Sequence, residues 1–217
     1  APPAAAAQRS AMKTPAYWRR ATRQLAAADP VLGALIMRHH GLTLASRGDA
    51  FQTLARSIIG QQISVKAAQS VWDRFAAAVG DMQPQCVLRV SGERLRSCGL
   101  SGQKVGYLLD LSARFAAGTI DVNHWHDMDD EALIADLTQV KGIGRWTAEM
   151  FLIFYLTRPD VLPLGDLGLQ RALSVHYNKG RKLSARRIAM LSARWTPWRS
   201  VATWYLWRSL DPVPVEY

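Results

Sequence analysis

The chain has 217 residues, 49% apolar and 20% charged, enough to bury a sizeable core as one large domain or two small ones. VLGALIM and FLIFYL fall far short of the ~18 to 20 apolar residues of a bilayer-spanning helix, and two cysteines, Cys86 and Cys98, exclude an iron-sulfur cluster or a four-cysteine zinc site. Twenty-seven Lys and Arg against seventeen Asp and Glu leave a net charge of +10, which favours a polyanionic partner through counterion release at phosphates.

Residues 1–15 read as a loose alanine-rich tail, without the apolar stretch and cleavage site of a secretory signal; arginines without acids before Asp29 give it a faint likeness to an organelle presequence. Phe51, Leu54, Ala55, Ile58 and Ile59 fall on one helical face. Val65, Ala68, Trp72, Phe75 and Val79 form a second stripe ending at Gly80, with GQQIS between the two. Ser101 is placed to cap a helix carrying Val105, Leu108, Ser112 and Phe115 that ends near Gly118, and Asp129 or Asp130 to cap a shorter one. Residues 145–156 are nearly continuously apolar after one turn, which predicts a central buried helix ended by Arg158 and Pro159. Further helices are predicted from about Asp166, from Ser184, and from Thr196 with Pro197 in its first turn. The expectation is an all-α protein with short loops.

Two local features point to nucleic acid. In VKGIGRWTAEMF, residues 140–151, Gly142 and Gly144 permit a turn too tight for side chains, with Ile143 as its core anchor. The amides of Gly144, Arg145 and their neighbours at the start of the next helix are then placed to grip a phosphate strand, although ordinary helix-helix turns use glycine too. From Leu167 to Leu210 the chain holds Arg171, Lys179, Arg181, Lys182, Arg186, Arg187, Arg194, Arg199 and Arg208 and no acid: a one-sign surface suited to DNA, or simply a solvated basic face. His39 with His40, and His124 with His126, lack the spacing and third ligand of a zinc site.

Residues 133–148, LIADLTQVKGIGRWTA, resemble the helix-hairpin-helix of base-excision DNA glycosylases, and Asp166 in VLPLGDLGLQ matches the aspartate that this superfamily places shortly afterwards, here twenty-two residues beyond Gly144. The resemblance extends through SIIGQQISVKAA, CGLSGQKVGYL and RWTPWRSVATWYLWR, about residues 50–210, and is best to the 3-methyladenine DNA glycosylase II type. It implies the helix-hairpin-helix glycosylase fold, with residues 16–48 plus 157–217 as one helical subdomain, 49–156 as the other, the motif at about 131–156, and a cleft between them. The N-terminal β domain of long family members is not expected.

The same resemblance implies a monofunctional glycosylase that flips alkylated purines such as 3-methyladenine or 7-methylguanine out of double-stranded DNA and hydrolyses them off, as an intracellular monomer without membrane attachment. Asp166 is the implied catalyst, stabilising an oxocarbenium-like sugar or orienting water. Trp207 is the implied stacking wall, with Trp146 and Met150 lining the base pocket; relatives carry tyrosine at the Met150 position. Gln62 matches the wedge that fills the vacated stack. Gln61, Ser64, Lys141, Gly142, Ile143, Gly144, Arg145 and Thr147 are the implied DNA-binding set, Ser64 doubling as a cap. No cofactor is required, though Na+ or K+ is expected on the carbonyls of Thr138, Val140 and Ile143. Relatives with lyase activity carry lysine where this chain has Trp146, so no Schiff base is expected, Lys141 included.

Trp195, Trp198 and Trp204 are expected in the core. Two other readings share these residues: a non-catalytic hairpin module for distorted DNA, and a glycosylase of the same scaffold for deaminated or mismatched bases. The enzyme reading requires Asp166 to face a recess lined by indoles rather than bulk solvent.

Overall fold

A computed structural model describes residues 14–46 and 48–210; of the tail expected at residues 1–15, residues 1–13 lie outside them. Twelve α-helices are present among the described residues, with no β-strand and no helix long and apolar enough to cross a membrane. Most start where short polar side chains can cap them. Asp29 caps α2 (Pro30–Arg38), which follows α1 (Trp18–Ala28) directly, with Pro30 in the first turn. Asp49 caps α3 (Ala50–Gly60) and Ser64 caps α4 (Val65–Val79). The short α5 (Pro84–Arg89) and α6 (Gly92–Ser97) lead to α7 (Gly102–Ala116), capped by Ser101. Asp129 caps α8 (Asp130–Leu137), Asp166 caps α10 (Leu167–Asn178) and Ser184 caps α11 (Ala185–Ser192). Between α8 and α10 lies α9 (Arg145–Phe154), which begins at Gly144 without a side-chain cap, and α12 (Arg199–Leu210) closes the described chain.

The helices pack in two groups. α3, α4, α5, α6 and α7 contact one another, with α9 joining α3 and α8; α1, α2, α10 and α12 form the second group, α11 joining through the short 3-10 turn Ala193–Trp195. One contiguous apolar core runs through both. α9 is its central rod: every residue from Thr147 to Ile153 is buried, which is what a nearly all-apolar helix requires. Trp195, Trp198 and Trp204 are core residues, as expected. Trp195 and Trp204 are packed against Tyr177 and against Trp18 and Tyr205, respectively.

Three predicted features differ. The last helix starts at Arg199, not Thr196, because the Trp198 N–H turns back onto the Trp195 carbonyl and the first intrahelical bond runs from Ala202 N–H to the Trp198 carbonyl. α9 stops at Phe154, short of 156; Thr157 takes a left-handed backbone and the Arg158 N–H folds back onto the Leu152 carbonyl. Loops are not uniformly short, since residues 155–166 cross between the helix groups without helix. That crossing is pinned at both ends: Tyr17 Oη donates to the Thr157 carbonyl, and the Val161 N–H donates to Ser200 Oγ at 2.9 Å. It delivers Asp166 to the start of α10.

Candidate active site

The hairpin between α8 and α9 is held by contacts that only its glycine permits. Gly142 has φ +85°, and a Cβ there would lie 2.2 Å from the Tyr107 ring of α7, so ring and backbone pack face to face. The Ile143 side chain is buried and its N–H closes the turn on the Val140 carbonyl at 3.1 Å. From α7, Asp110 Oδ2 accepts the Lys141 N–H at 2.9 Å and the Arg114 Nε at 3.0 Å. Partial burial pushes the Asp110 carboxyl up, but the Lys141 N–H and the Arg114 guanidinium outweigh it and hold the group below the usual aspartate range.

On the other flank, Gln61 Nε2 donates to the Gly142 carbonyl at 2.7 Å, and Lys104 Nζ donates to the carbonyls of Ile59 and Gln61, both at 2.7 Å. The Gln61 side chain is therefore a brace for the hairpin rather than a phosphate hook. Lys104 closes the C-terminus of α3, and burial lowers its ammonium pKa. Clamped on this side, the next residue, Gln62, adopts φ +60°, which is uncommon away from glycine, and projects into solvent beside the 40% exposed Ile63. Ser64 spends its hydroxyl on the Ala67 N–H, so it is the cap of α4.

The first turn of α9 redistributes the implied DNA contacts. Arg145 pairs fork to fork with Glu131 of α8 and donates Nε to Glu149 at 3.0 Å, so its half-exposed guanidinium braces the motif. Thr147 is buried. Lys141 and Gly144 are exposed. Glu149 is buried; desolvation raises its carboxyl pKa, Arg145 opposes the rise and Asp166 adds to it.

Asp166 lies where the two helix groups meet. Its Oδ1 accepts the Leu169 N–H at 2.6 Å, the capping bond of α10, and the Trp207 indole N–H at 2.7 Å from α12; its Oδ2 accepts the Trp146 indole N–H at 2.9 Å from α9. The carboxylate is thus held between two indoles, partly exposed. Trp207 is stacked on Phe154 at 5.6 Å and 13°, which fixes the plane of the indole. Gly168 sits under both, since a Cβ there would be 3.1 Å from Asp166 Oδ1 and 3.3 Å from the Trp207 ring. Trp146 is 40% exposed, while Met150, one turn further along α9, is buried. Leu164 and Leu167, on either side of Asp166 in the chain, stand exposed.

Sequence reasoning placed Trp146, Trp207 and Asp166 at the site but not the bonds between them. It missed Lys104, Tyr107, Asp110, Glu131 and Phe154. Their roles depend on contacts between α7, α8, α9 and α12 that no local spacing encodes. The basic stretch is partly consumed: Arg199 is bound to Asp160 at 2.8 Å, Arg194 lies 3.8 Å from the buried Asp29, and Arg208 covers the Trp204 ring. Arg171, Lys179, Arg181, Lys182, Arg186 and Arg187 remain exposed. Among the described residues no group of His, Cys, Asp and Glu is arranged to hold a metal ion.

The model of the HhH-GPD superfamily of base excision DNA repair proteins matches residues 55–198. The chain belongs to this superfamily. It is 32% identical over 165 residues to DNA-3-methyladenine glycosylase 1 of Schizosaccharomyces pombe, covering 74% of this chain and 72% of that one. It is 29% identical over 199 residues to a DNA-3-methyladenine glycosylase of Bacillus subtilis, spanning 86% of this chain but 66% of that protein. A DNA-3-methyladenine glycosidase from Bacillus halodurans superposes with a TM-score of 0.84 at 33% identity, over 92% of this chain and 93% of that one.

Proposed function

We propose that this chain is a monofunctional DNA glycosylase of base excision repair that hydrolyses alkylated purines, 3-methyladenine and 7-methylguanine in kind, from double-stranded DNA. The observation that carries the reading is the Asp166 carboxylate, fixed by two indole N–H groups, one of them from the first turn after the hairpin, and by the α10 backbone. The similarity to 3-methyladenine glycosylases, one of them an S. pombe structure in complex with abasic DNA at 28% identity and a TM-score of 0.74 over 91% of this chain and 98% of that one, supports the substrate class.

Cleavage of the N-glycosidic bond leaves positive charge on the deoxyribose. An ionised carboxylate about 4 Å from a unit cation interacts by roughly 4 kcal/mol at an effective dielectric near 20, a sizeable share of an enzymatic barrier reduction. The three donors on Asp166 cost no reorganisation as that charge develops, because the bonds already exist. The free edges of the carboxylate orient the attacking water. A base methylated on a ring nitrogen is already cationic and departs without a general acid, and cations are attracted to aromatic faces.

Extrusion of the nucleotide is the task of the Gln62 loop. Its left-handed backbone projects the side chain outward, towards the gap that flipping opens, and glutamine there hydrogen-bonds the orphaned partner base. The amides of Gly142, Gly144 and the first turn of α9 hold the strand. Thr138, Val140 and Ile143 would supply carbonyls to a Na+ or K+ ion, which would offset phosphate charge; the Val140 carbonyl already gives one of its two lone pairs to Ile143. Residues 16–46 with 157–210 and residues 49–156 act as the two walls of the cleft, residues 47 and 211–217 of the expected first subdomain lying outside the described residues, and the protein works as a monomer on one duplex inside the cell. Trp146, bonded to Asp166, occupies the lysine position of relatives with lyase activity, so the reaction ends at the abasic site.

The test is incubation with methylated DNA, mass analysis of released bases, and a separate gel for nicking with borohydride trapping. Released methylpurine without a trapped covalent complex is expected. Binding of abasic DNA with no base released favours the non-catalytic module, release of deaminated but not methylated bases favours the other glycosylase class, and a borohydride-trapped adduct overturns the assignment as monofunctional.

A further inference from the structure

A second surface feature lies beside the Asp166 loop. Leu164, Gln170, Leu183, Ala185 and Ile188 line a cavity of about 170 Å3 between α10 and α11, with Lys182 at its edge. Its floor is braced by Gln170 Nε2, which donates to the Leu164 carbonyl at 2.7 Å. The loop that carries Lys182 is also prebuilt: Asn178 Nδ2 donates to the carbonyls of Arg181 at 2.8 Å and Lys182 at 3.1 Å, and Arg187 donates to Asn178 Oδ1 at 3.2 Å. Arg181, Lys182, Arg186 and Arg187, neighbours in sequence of the lining residues, are exposed, and no acid occurs in the sequence from Leu167 to Leu210.

We propose that this groove seats one nucleotide of the damaged strand that flanks the flipped one, with its phosphate on Lys182 and its sugar on the Leu164, Leu183 and Ile188 wall. The inference rests on the glycosylase reading and adds a strand contact outside the hairpin. Charge complementarity selects a phosphodiester strand over an apolar occupant: an apolar wall alone fits many partners, but one that includes Lys182 and takes its other lining residues, Leu164 aside, from the acid-free stretch Leu167 to Leu210 fits a chain of alternating sugar and phosphate. Proximity sets the register. Leu164 is two residues before Asp166, a backbone reach of at most about 7 Å, so a strand presenting its sugar to Asp166 carries its neighbour across this groove. The prebuilt loop lowers the ordering cost of the contact.

The test uses the full chain and a duplex with one central abasic analogue, comparing wild type with Lys182→Ala and with Arg96→Ala, an exposed cation on α6 that serves as a matched loss of charge. A single phosphate contact contributes about 0.9 to the slope of log affinity against log salt, so between 50 and 200 mM salt the wild type should lose about 3.5-fold more affinity than Lys182→Ala, and Arg96→Ala should track the wild type. Ethylation interference should lose one flanking phosphate on the damaged strand in Lys182→Ala alone. Ala185→Phe, which fills the groove and leaves the charge, should weaken binding with the salt slope retained. An unchanged slope and footprint in Lys182→Ala overturn the proposal, as does equal loss in Arg96→Ala. If the wild type binds this duplex but releases no base, the glycosylase reading fails while the groove is still judged by these variants; if it binds no duplex, both fail.

Discussion

Trp207, in the last described helix, donates its indole N–H at 2.7 Å to the same Asp166 oxygen that caps α10, while its ring stacks on Phe154 of α9. One side chain thus ties three helices to a single carboxylate. With Trp146 on the other oxygen, the carboxylate is oriented from two sides.

Replacing either indole by phenylalanine removes a donor and keeps a ring. Hydrogen bonds to charged groups contribute about 1.5 to 3 kcal/mol, so Trp146→Phe and Trp207→Phe should each lower the single-turnover rate by about 10- to 100-fold. Affinity for abasic DNA should change far less. Trp207→Ala also loses the stack on Phe154 and should be worse than Trp207→Phe; equal rates for wild type and both phenylalanine variants would remove the orienting role.

Gly142 offers a test of the hairpin. Gly142→Ala combines a left-handed backbone, costing about 1 to 2 kcal/mol, with a Cβ driven into the Tyr107 ring. The variant should lose thermal stability and duplex affinity together. Adding Tyr107→Ala relieves the collision but not the backbone strain, so the double variant should regain part of the affinity; a double variant no better than the single would show that the ring is not the obstacle.

Asp110 gives the hairpin a pH dependence. Its carboxyl is held below the ordinary aspartate value in the folded protein, so its contribution to stability is present above the unfolded value and is lost as pH falls through the folded one. Asp110→Asn should be less stable than wild type at neutral pH, and the gap should close as pH is lowered past the aspartate range. A gap that is constant from neutral to strongly acidic pH in chemical denaturation contradicts this.

Asp29 anchors the second helix group. It is 1% exposed, caps α2 through the N–H groups of Val31 and Leu32, and accepts from Tyr177 Oη and Trp195 Nε1, each at 3.0 Å. Asp29→Ala leaves a buried hydroxyl, a buried indole N–H and a helix start unpaired, at about 1 to 3 kcal/mol for each buried donor. Two such donors, at about 2 to 4 °C per kcal/mol for this chain length, predict a melting temperature lower by about 4 to 24 °C. A shift under 2 °C would mean that water replaces the carboxylate.

Helix placement was legible wherever apolar spacing and a capping residue agreed, as at Ser64, Ser101, Asp129, Asp166 and Ser184. It failed at Thr196, where a good cap and a proline are overridden by a turn packed beneath Trp195 and Trp198. Asp166, Trp146 and Trp207 stood out because the motif fixes their spacing. Their convergence did not, because it depends on how α9, α10 and α12 meet. The side-chain bonds of Gln61 to the Gly142 carbonyl and of Arg145 to Glu131 were not legible, because their partners lie far away in sequence.

The central claim is that the Asp166 carboxylate drives base release, and the direct measurement is the single-turnover excision rate of Asp166→Asn on a duplex with one 7-methylguanine. The asparagine keeps the size and the helix cap but not the charge. Loss of the roughly 4 kcal/mol estimated above predicts a rate about a thousandfold lower, with abasic-DNA binding retained. A rate within a few fold of wild type would place the catalytic charge elsewhere.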